Sequence, residues 1–185
     1  SDPETTTATA VISAFESDGF TGPSSTPGNI NVNSRTYVTW NWKAGGSASS
    51  NSNGSITSSV SANTDAGFSI GTFTGTGSAG TLGHGLSSAP EGIILKSRGS
   101  TADWLGFNKD ITDQSGINYV FYCFHSVEGY SKFGSYHGNG LADGTFIYTG
   151  FRPAWLMIKN DALAGTNWNI FDNKRSTFNL TNDAI

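Results

Sequence analysis

Residues 131–160 read "SKFGSYHGNGLADGTFIYTGFRPAWLMIKN", and residues 73–97 read "FTGTGSAGTLGHGLSSAPEGIILKS". The two stretches share one layout. Gly75-Thr76-Gly77 and Gly138-Asn139-Gly140 stand 63 residues apart. Pro90 and Pro153 keep that spacing, and so do Ile93-Ile94-Leu95-Lys96 and Leu156-Met157-Ile158-Lys159. The match extends outward. Gly67-Phe68-Ser69 answers Gly129-Tyr130-Ser131 at an offset of 62, Asp103-Trp104 answers Asn167-Trp168 at 64, and Phe107 answers Phe171. Tyr37-Val38 answers Tyr119-Val120 at 82, because the first copy carries an extra Ser/Gly-rich stretch. Each unit therefore runs as an aromatic strand, a Gly-aromatic strand, a Gly-x-Gly turn, a Pro-led apolar strand and a Trp strand.

The repeated letters encode a shape. An active site duplicated along with a fold would repeat polar residues, whereas glycine, proline, aliphatics, Trp and one Lys recur here. Glycines serve turns that need positive φ, and a Pro fits the first residue of a strand, where no ladder donor is lost. Lys96 and Lys159 are expected to end their strands in solvent. Neither unit can bury its apolar pattern alone, and two units facing each other would share a core as the sheets of a sandwich do. The predicted fold is all-β, a jelly-roll or concanavalin-like sandwich built from two related β units, approximately 37–108 and 119–173. Residues 11–185 form one domain after a flexible lead-in at 1–10. Two small β domains in tandem are the alternative.

Strand signals are frequent and helix signals are not. No window of a dozen residues keeps helical apolar spacing without a Gly or Pro. "TYVTWNWK" (36–43), "AGFSIGTFTG" (66–75), "NYVFYCFHSV" (118–127) and "GYSKFGSYHG" (129–138) are rich in aromatic and β-branched residues or alternate large with small. "EGIILKS" (91–97) and "AWLMIKN" (154–160) read as strands buried on both faces, with "DWLGFN" (103–108) and "NWNIFDN" (167–173) beside them. The stretch "AGGSASSNSNGSITSSVSANTDAG" (44–67) is read, over 44–66, as a long flexible surface loop. Such an insertion is tolerable because loop-closure entropy grows only logarithmically with length.

Composition narrows the function classes. The chain has 185 residues, a charged fraction of 13%, 24 glycines and a net charge of −4. Without a basic face, nucleic acid is not an expected partner. The lone Cys123 reads as a small buried hydrophobe. No segment approaches the roughly 18 apolar residues of a membrane span, and the start has no signal-peptide pattern. His84, His125 and His137 do not repeat and show no metal spacing, so they read as loop or partly buried structural residues. No nucleophile elbow or phosphate loop occurs, and "NKDITDQSG" (108–116) lacks the spacing and closing Glu of a calcium loop. No cofactor, metal or catalytic residue is expected. The tryptophans read first as packing groups, with Trp104 and Trp168 the best candidates for stacking on a ligand. What differs between the copies is where contacts would hide: "SYHGNGLADG" against "FTGTGSAG" singles out Tyr136, His137, Asn139 and Asp143.

One stretch carries a resemblance. "SGINYVFYCFHSVEGYSKFGSYHGNGLADGTFIYTGFRPAWLMIKNDALAGTNWNIFDNKRSTFN" resembles an uncharacterised domain family common in tail, fibre-like and appendage proteins of marine and cyanobacterial phages. "RTYVTWNWKAGG" and "GTGSAGTLGHGLSSAPEGIILK" look like its upstream portion, so the likeness covers roughly 11–180. It implies a non-enzymatic virion structural protein, a tail-fibre or appendage module for host attachment, with no catalytic residues to carry over. Expected partners are other virion proteins, further copies of the chain (a trimer by analogy with fibres) and a host surface glycan. A capsid-decorating or scaffolding protein is the alternative, and a polysaccharide depolymerase the third reading. Relatives usually continue past "KRSTFN" with a further segment ending in another aromatic strand, so a fragment of a longer chain, with an edge strand missing, is one reading of this sequence.

Overall fold

The computed structural model describes residues 12–22, 31–35, 37, 39–98, 105–106, 114–160, 162–163 and 166–174. Among them the regular structure is entirely β: β1 (Ala14–Phe15), β2 (Phe20–Thr21), β3 (Ser49–Asn51), β4 (Ser58–Asn63), β5 (Phe68–Thr74), β6 (Gly92–Ser97), β7 (Leu105–Gly106), β8 (Asn118–Phe124), β9 (Trp155–Ile158) and β10 (Asn169–Asp172). Strands β3-β4-β5-β8-β6-β7, in that order, form an antiparallel six-stranded sheet, while β1-β2 and β9-β10 are separate hairpins. The two central strands, β5 and β8, pair over seven residues from Phe68↔Phe124 to Thr74↔Asn118.

Alternation along the ladder sorts the side chains into two faces. The first face carries Val60 of β4, Phe73 of β5, Leu95 of β6, and Tyr119, Phe121 and Cys123 of β8, all buried in one cluster with Ile56. Residues 76–90 fold back over it: Ile56 bridges Leu82, and Leu82 and Leu86 pack on the cluster. Phe73 stacks on Tyr119 at 5.0 Å and 12°. Phe121 lies over its cross-strand partner Gly71, where a Cβ would overlap the ring. Thus β5 has a glycine in its middle because β8 has a phenylalanine opposite.

Cys123 sits in this cluster, 3% exposed. Burial pushes its thiol up to about 11, against a smaller opposing pull from the Ser69 hydroxyl. Thiol reagents at pH 8 are therefore expected to label the native chain at least ~1,000-fold more slowly than the urea-unfolded chain, since the neutral thiol is inert until the sheet opens. Because the folded value is raised, the thiol's contribution to stability is complete below its unfolded value of about 8.5 and is lost as pH rises toward 11.

The second face carries Phe68, Ile70, Val120, Tyr122, Phe124, Ile94 and Lys96. Lys96 is 1% exposed, so the expectation of a strand-ending lysine in solvent fails for it, although Lys159 is exposed. At one end of this face Trp42 meets Phe68 (6.2 Å) and Phe124 (5.7 Å) and also touches Trp155 of β9 (6.3 Å), which in turn meets Trp40 (6.0 Å). These rings join the β9-β10 hairpin to the sheet as a second layer. The all-β, sandwich-like reading holds in this form, with unequal layers.

The repeat is visible in the backbone. The hairpin β6-β7 pairs Ile94↔Gly106 and Leu95↔Leu105, and β9-β10 pairs Met157↔Ile170 and Ile158↔Asn169. These are the same pairs displaced by 63 and 64 residues, so both hairpins keep one register. Gly67 and Gly129 both have positive φ (61° and 73°), as do Gly77 and Gly140 (77° and 66°). Pro90 and Pro153 each precede their strand by two residues.

Three expectations are corrected. Residues 44–66, read as a flexible loop, hold β3 and β4. Serine hydroxyls do there what apolar packing does elsewhere: Ser58 Oγ donates to Gly83 O (3.2 Å) and Ser61 Oγ to Gly46 O (2.7 Å). Conversely, 129–138 forms no named strand and makes only the isolated bridge Val127↔Ser131. The described residues of 36–43 are likewise outside the named strands.

Candidate functional site

The segment after β8 leaves the sheet on a built anchor. The Ser126 N–H donates to Glu91 Oε2, and the Phe133 N–H donates to Ser126 Oγ (3.0 Å). The Val127 N–H donates to Ser131 O (3.0 Å), the Ser131 N–H donates back to Val127 O (2.9 Å), and the Phe133 ring packs on Phe124 at 6.0 Å. His125 is 9% exposed; its Nδ1 lies 2.8 Å from Ser126 O, and Nε2 has no hydrogen-bond partner among the described residues. This is the partly buried structural histidine that its sequence context suggested.

The hydrogen bonds from Ser126, side chain first and then backbone, hold the Glu91 carboxyl below its usual range, with burial opposing and Lys132 and His125 assisting. A lowered folded pKa stabilises above the unfolded value and is lost as pH falls through the folded one. Glu91 is exposed, so the effect is below about 1 kcal/mol. In urea titrations between pH 7 and pH 3 the wild type is expected to lose this increment below pH 4.5, and Glu91→Gln is expected to lack it at every pH.

Beyond the anchor the chain turns outward. Asn139 organises the tip: its Oδ1 accepts from the Leu141 N–H (3.1 Å) and its Nδ2 donates to Asp143 O (2.8 Å), around Gly140 at φ 66°. Thr145 Oγ1 donates to His137 O (3.0 Å). Large side chains are left in solvent: Tyr136 48%, Phe146 86% and Tyr148 80% exposed. Of the predicted site residues, Tyr136, His137, Asn139 and Asp143 thus share one exposed loop, where Asn139 and the Asp143 carbonyl build the turn. Trp168 belongs to the other layer, with Lys159 Nζ 5.7 Å from its ring. Trp104 lies outside the described residues.

Sequence reasoning missed Glu91 and Ser126, which no motif marks, and it missed Phe146 and Tyr148. The run "GTFIYTG" (144–150), apolar between two glycines, was the available signal. Among the described residues no group of three or more His, Cys, Asp or Glu could hold a metal ion, and no helix is long and apolar enough to cross a membrane. The chemistry on offer at the loop is aromatic and amide contact.

A single family model, described as a domain of unknown function (DUF7483), matches the chain over residues 1–117 and again over 108–185. The chain belongs to the DUF7483 family. The two matches overlap over residues 108–117, between the first repeat unit and β8, so each takes in one of the two repeat units. No curated protein and no solved structure matches this DUF7483 chain.

Proposed function

We propose that this DUF7483 chain is a non-enzymatic structural module of a phage appendage, a tail or fibre protein, that contacts the host surface. The observation that carries the reading is the loop after β8, anchored to the sheet through Ser126 and presenting Tyr136, Phe146 and Tyr148 to solvent. Exposed tyrosines set among Ser, Gly and Asn give broad contact area with little side-chain entropy to lose, as binding loops elsewhere do. Leu141, Phe146, Ile147 and Tyr148 stay exposed along the same segment as Tyr136, and a run of exposed apolar side chains is where a contact surface is sought. The likeness of "EGYSKFGSYHGNG" and "DGTFIYTGFRPAW" to phage tail and fibre-like proteins supports the virion setting. The test is binding of the intact chain to host cells and to a glycan array, beside Tyr136→Ala and Tyr148→Ala. Binding that falls at least tenfold in both variants supports the reading. No binding, or binding unchanged in both, overturns the attachment role.

A further inference from the structure

The chain holds two Asn-Gly pairs, Asn53-Gly54 and Asn139-Gly140, and the fold treats them differently. At such a pair the backbone nitrogen reaches the preceding side-chain amide easily, because glycine has no Cβ to shield it. We infer that Asn139-Gly140 is a self-modifying site, where the side-chain amide is lost and aspartate or isoaspartate takes its place, while Asn53-Gly54 is held inert.

Asn53-Gly54 lies between β3 and β4, where the Asn53 N–H donates to Asn51 Oδ1 (2.9 Å). The residues that follow are tied to Thr81. The Ser55 N–H donates to Thr81 Oγ1 (3.0 Å), the Thr81 N–H to Ser55 Oγ (2.9 Å) and the Ile56 N–H to Thr81 O (3.1 Å). A Cβ on Gly54 would strike the Thr81 backbone, so this peptide lies hard against the neighbouring chain. Ring closure requires the Asn53–Gly54 peptide to rotate, and isoaspartate lengthens the main chain by one carbon. Both wait until this end of the sheet opens.

Asn139-Gly140 carries neither restraint. Nothing lies within 4 Å of the place a Cβ would take on Gly138, Gly140 or Gly144. Asn139 Oδ1 accepts from the Leu141 N–H (3.1 Å), which closes a turn around Gly140 and keeps the side-chain carbonyl on that side. The same bond draws electrons from Cγ, the atom to be attacked. Among the described residues no acceptor takes the Gly140 N–H. What must break is the exposed bond from Asn139 Nδ2 to Asp143 O (2.8 Å), which water replaces.

The reaction needs water alone. Hydroxide takes the Gly140 N–H proton, and the nitrogen bonds to Asn139 Cγ. The Cγ–Nδ2 bond breaks, and Nδ2 leaves as ammonia with a proton from water. A second water opens the five-membered imide at one of its two carbonyls, giving aspartate or isoaspartate. Either product is a carboxylate, which accepts hydrogen bonds and donates none. The tie to Asp143 O is then lost, and a second negative charge joins Asp143 at the tip. The loop that carries Tyr136, Phe146 and Tyr148 loses its organising turn as the protein ages. That consequence rests on the attachment reading, whereas the chemistry stands without it.

The test is incubation of the intact chain at pH 8, beside the chain in guanidinium, with peptide mapping by mass spectrometry. In the native chain the Asn139 peptide is expected to gain the amide-to-acid mass at least tenfold faster than the Asn53 peptide, with similar rates for both once unfolded. The Asn139 rate is expected to rise with hydroxide between pH 7 and pH 9. Asn139→Gln, whose closure needs a six-membered ring, stops the change at the tip and leaves Asn53 as it was. Equal native rates, Asn53 reacting first, or a native Asn139 that stays intact while the unfolded chain reacts each overturns the site. Host-cell binding of the same samples is expected to fall with the converted fraction, and conversion without that fall overturns the consequence for attachment. A fresh chain that binds no host cell sinks the attachment reading, while the mass map still decides this one.

Discussion

Replacing Phe121 by Ala is expected to lower the free energy of unfolding by about 4 kcal/mol, measured by urea titration. Phe121 is 3% exposed in the middle of a central strand, pairs with Gly71 on one side and Leu95 on the other, and lies 6.3 Å from Phe73. Truncation leaves a cavity that extended neighbours cannot close, because the ladder holds their backbones. Gly71 sharpens the argument. A Cβ there overlaps the Phe121 ring, so Gly71→Ala is expected to cost about 2 kcal/mol in the wild type through overpacking. In a Phe121→Ala background the same methyl enters the vacated space and costs almost nothing. The cycle should therefore show coupling on the order of 2 kcal/mol. Additive effects would mean that the cost of the methyl does not come from the Phe121 ring.

That pairing of a strand glycine with an aromatic across the ladder was not legible in the sequence, although both strands were. β5, β6, β8, β9 and β10 could be read because each is an apolar or aromatic run bounded by Gly, Pro or Asn, and the 63-residue repeat doubled the signal. β3 and β4 could not. Their residues are Ser, Asn, Ala and one Val, a composition shared with linkers, and what makes them strands is contact with distant glycines. A Cβ on Gly83 would strike Asn51, and one on Gly85 would press on Val60 and Ala62, so residues 76–90 lie close against β3 and β4 because those positions are bare. Such complementarity is written in pairs of residues some 25 apart and leaves no local period. The site was half legible for a similar reason. Differences between the repeat copies located Tyr136, His137, Asn139 and Asp143, but the anchor at Glu91 and Ser126 spans 35 residues and repeats nothing.

Trp42→Ala carries the second large effect, about 2 kcal/mol, because the ring packs on Phe68, Phe124 and Trp155 while the residue stays 43% exposed. Its reach follows from the repeat. By the spacing of Tyr37-Val38 to Tyr119-Val120, Trp42 corresponds to Phe124, and Trp155 corresponds to Gly92. Phe124 is the ladder partner of Gly92, and the Trp42 ring touches the Trp155 ring at 6.3 Å. Trp42 therefore stands beside β9 as Phe124 stands beside β6. Each unit lends its aromatic segment to the other: β8 of the second unit completes the sheet of the first, and the Trp40–Trp42 segment of the first lies on the hairpin of the second. Lys43 O and Gly46 O are held by Asn63 Nδ2 (3.1 Å) and Ser61 Oγ (2.7 Å), so the end of this segment is tied to β4. Removing the Trp42 ring should release the hairpin and spare the sheet. Amide exchange is the discriminating measurement: protection in β9 and β10 is expected to collapse toward local opening while β5 and β8 keep most of theirs. A uniform loss across both layers would mean that the hairpin and the sheet unfold as one cooperative unit and that Trp42 is one packing contact among several. A selective loss makes it the joint through which two copies of one architectural unit become a single domain.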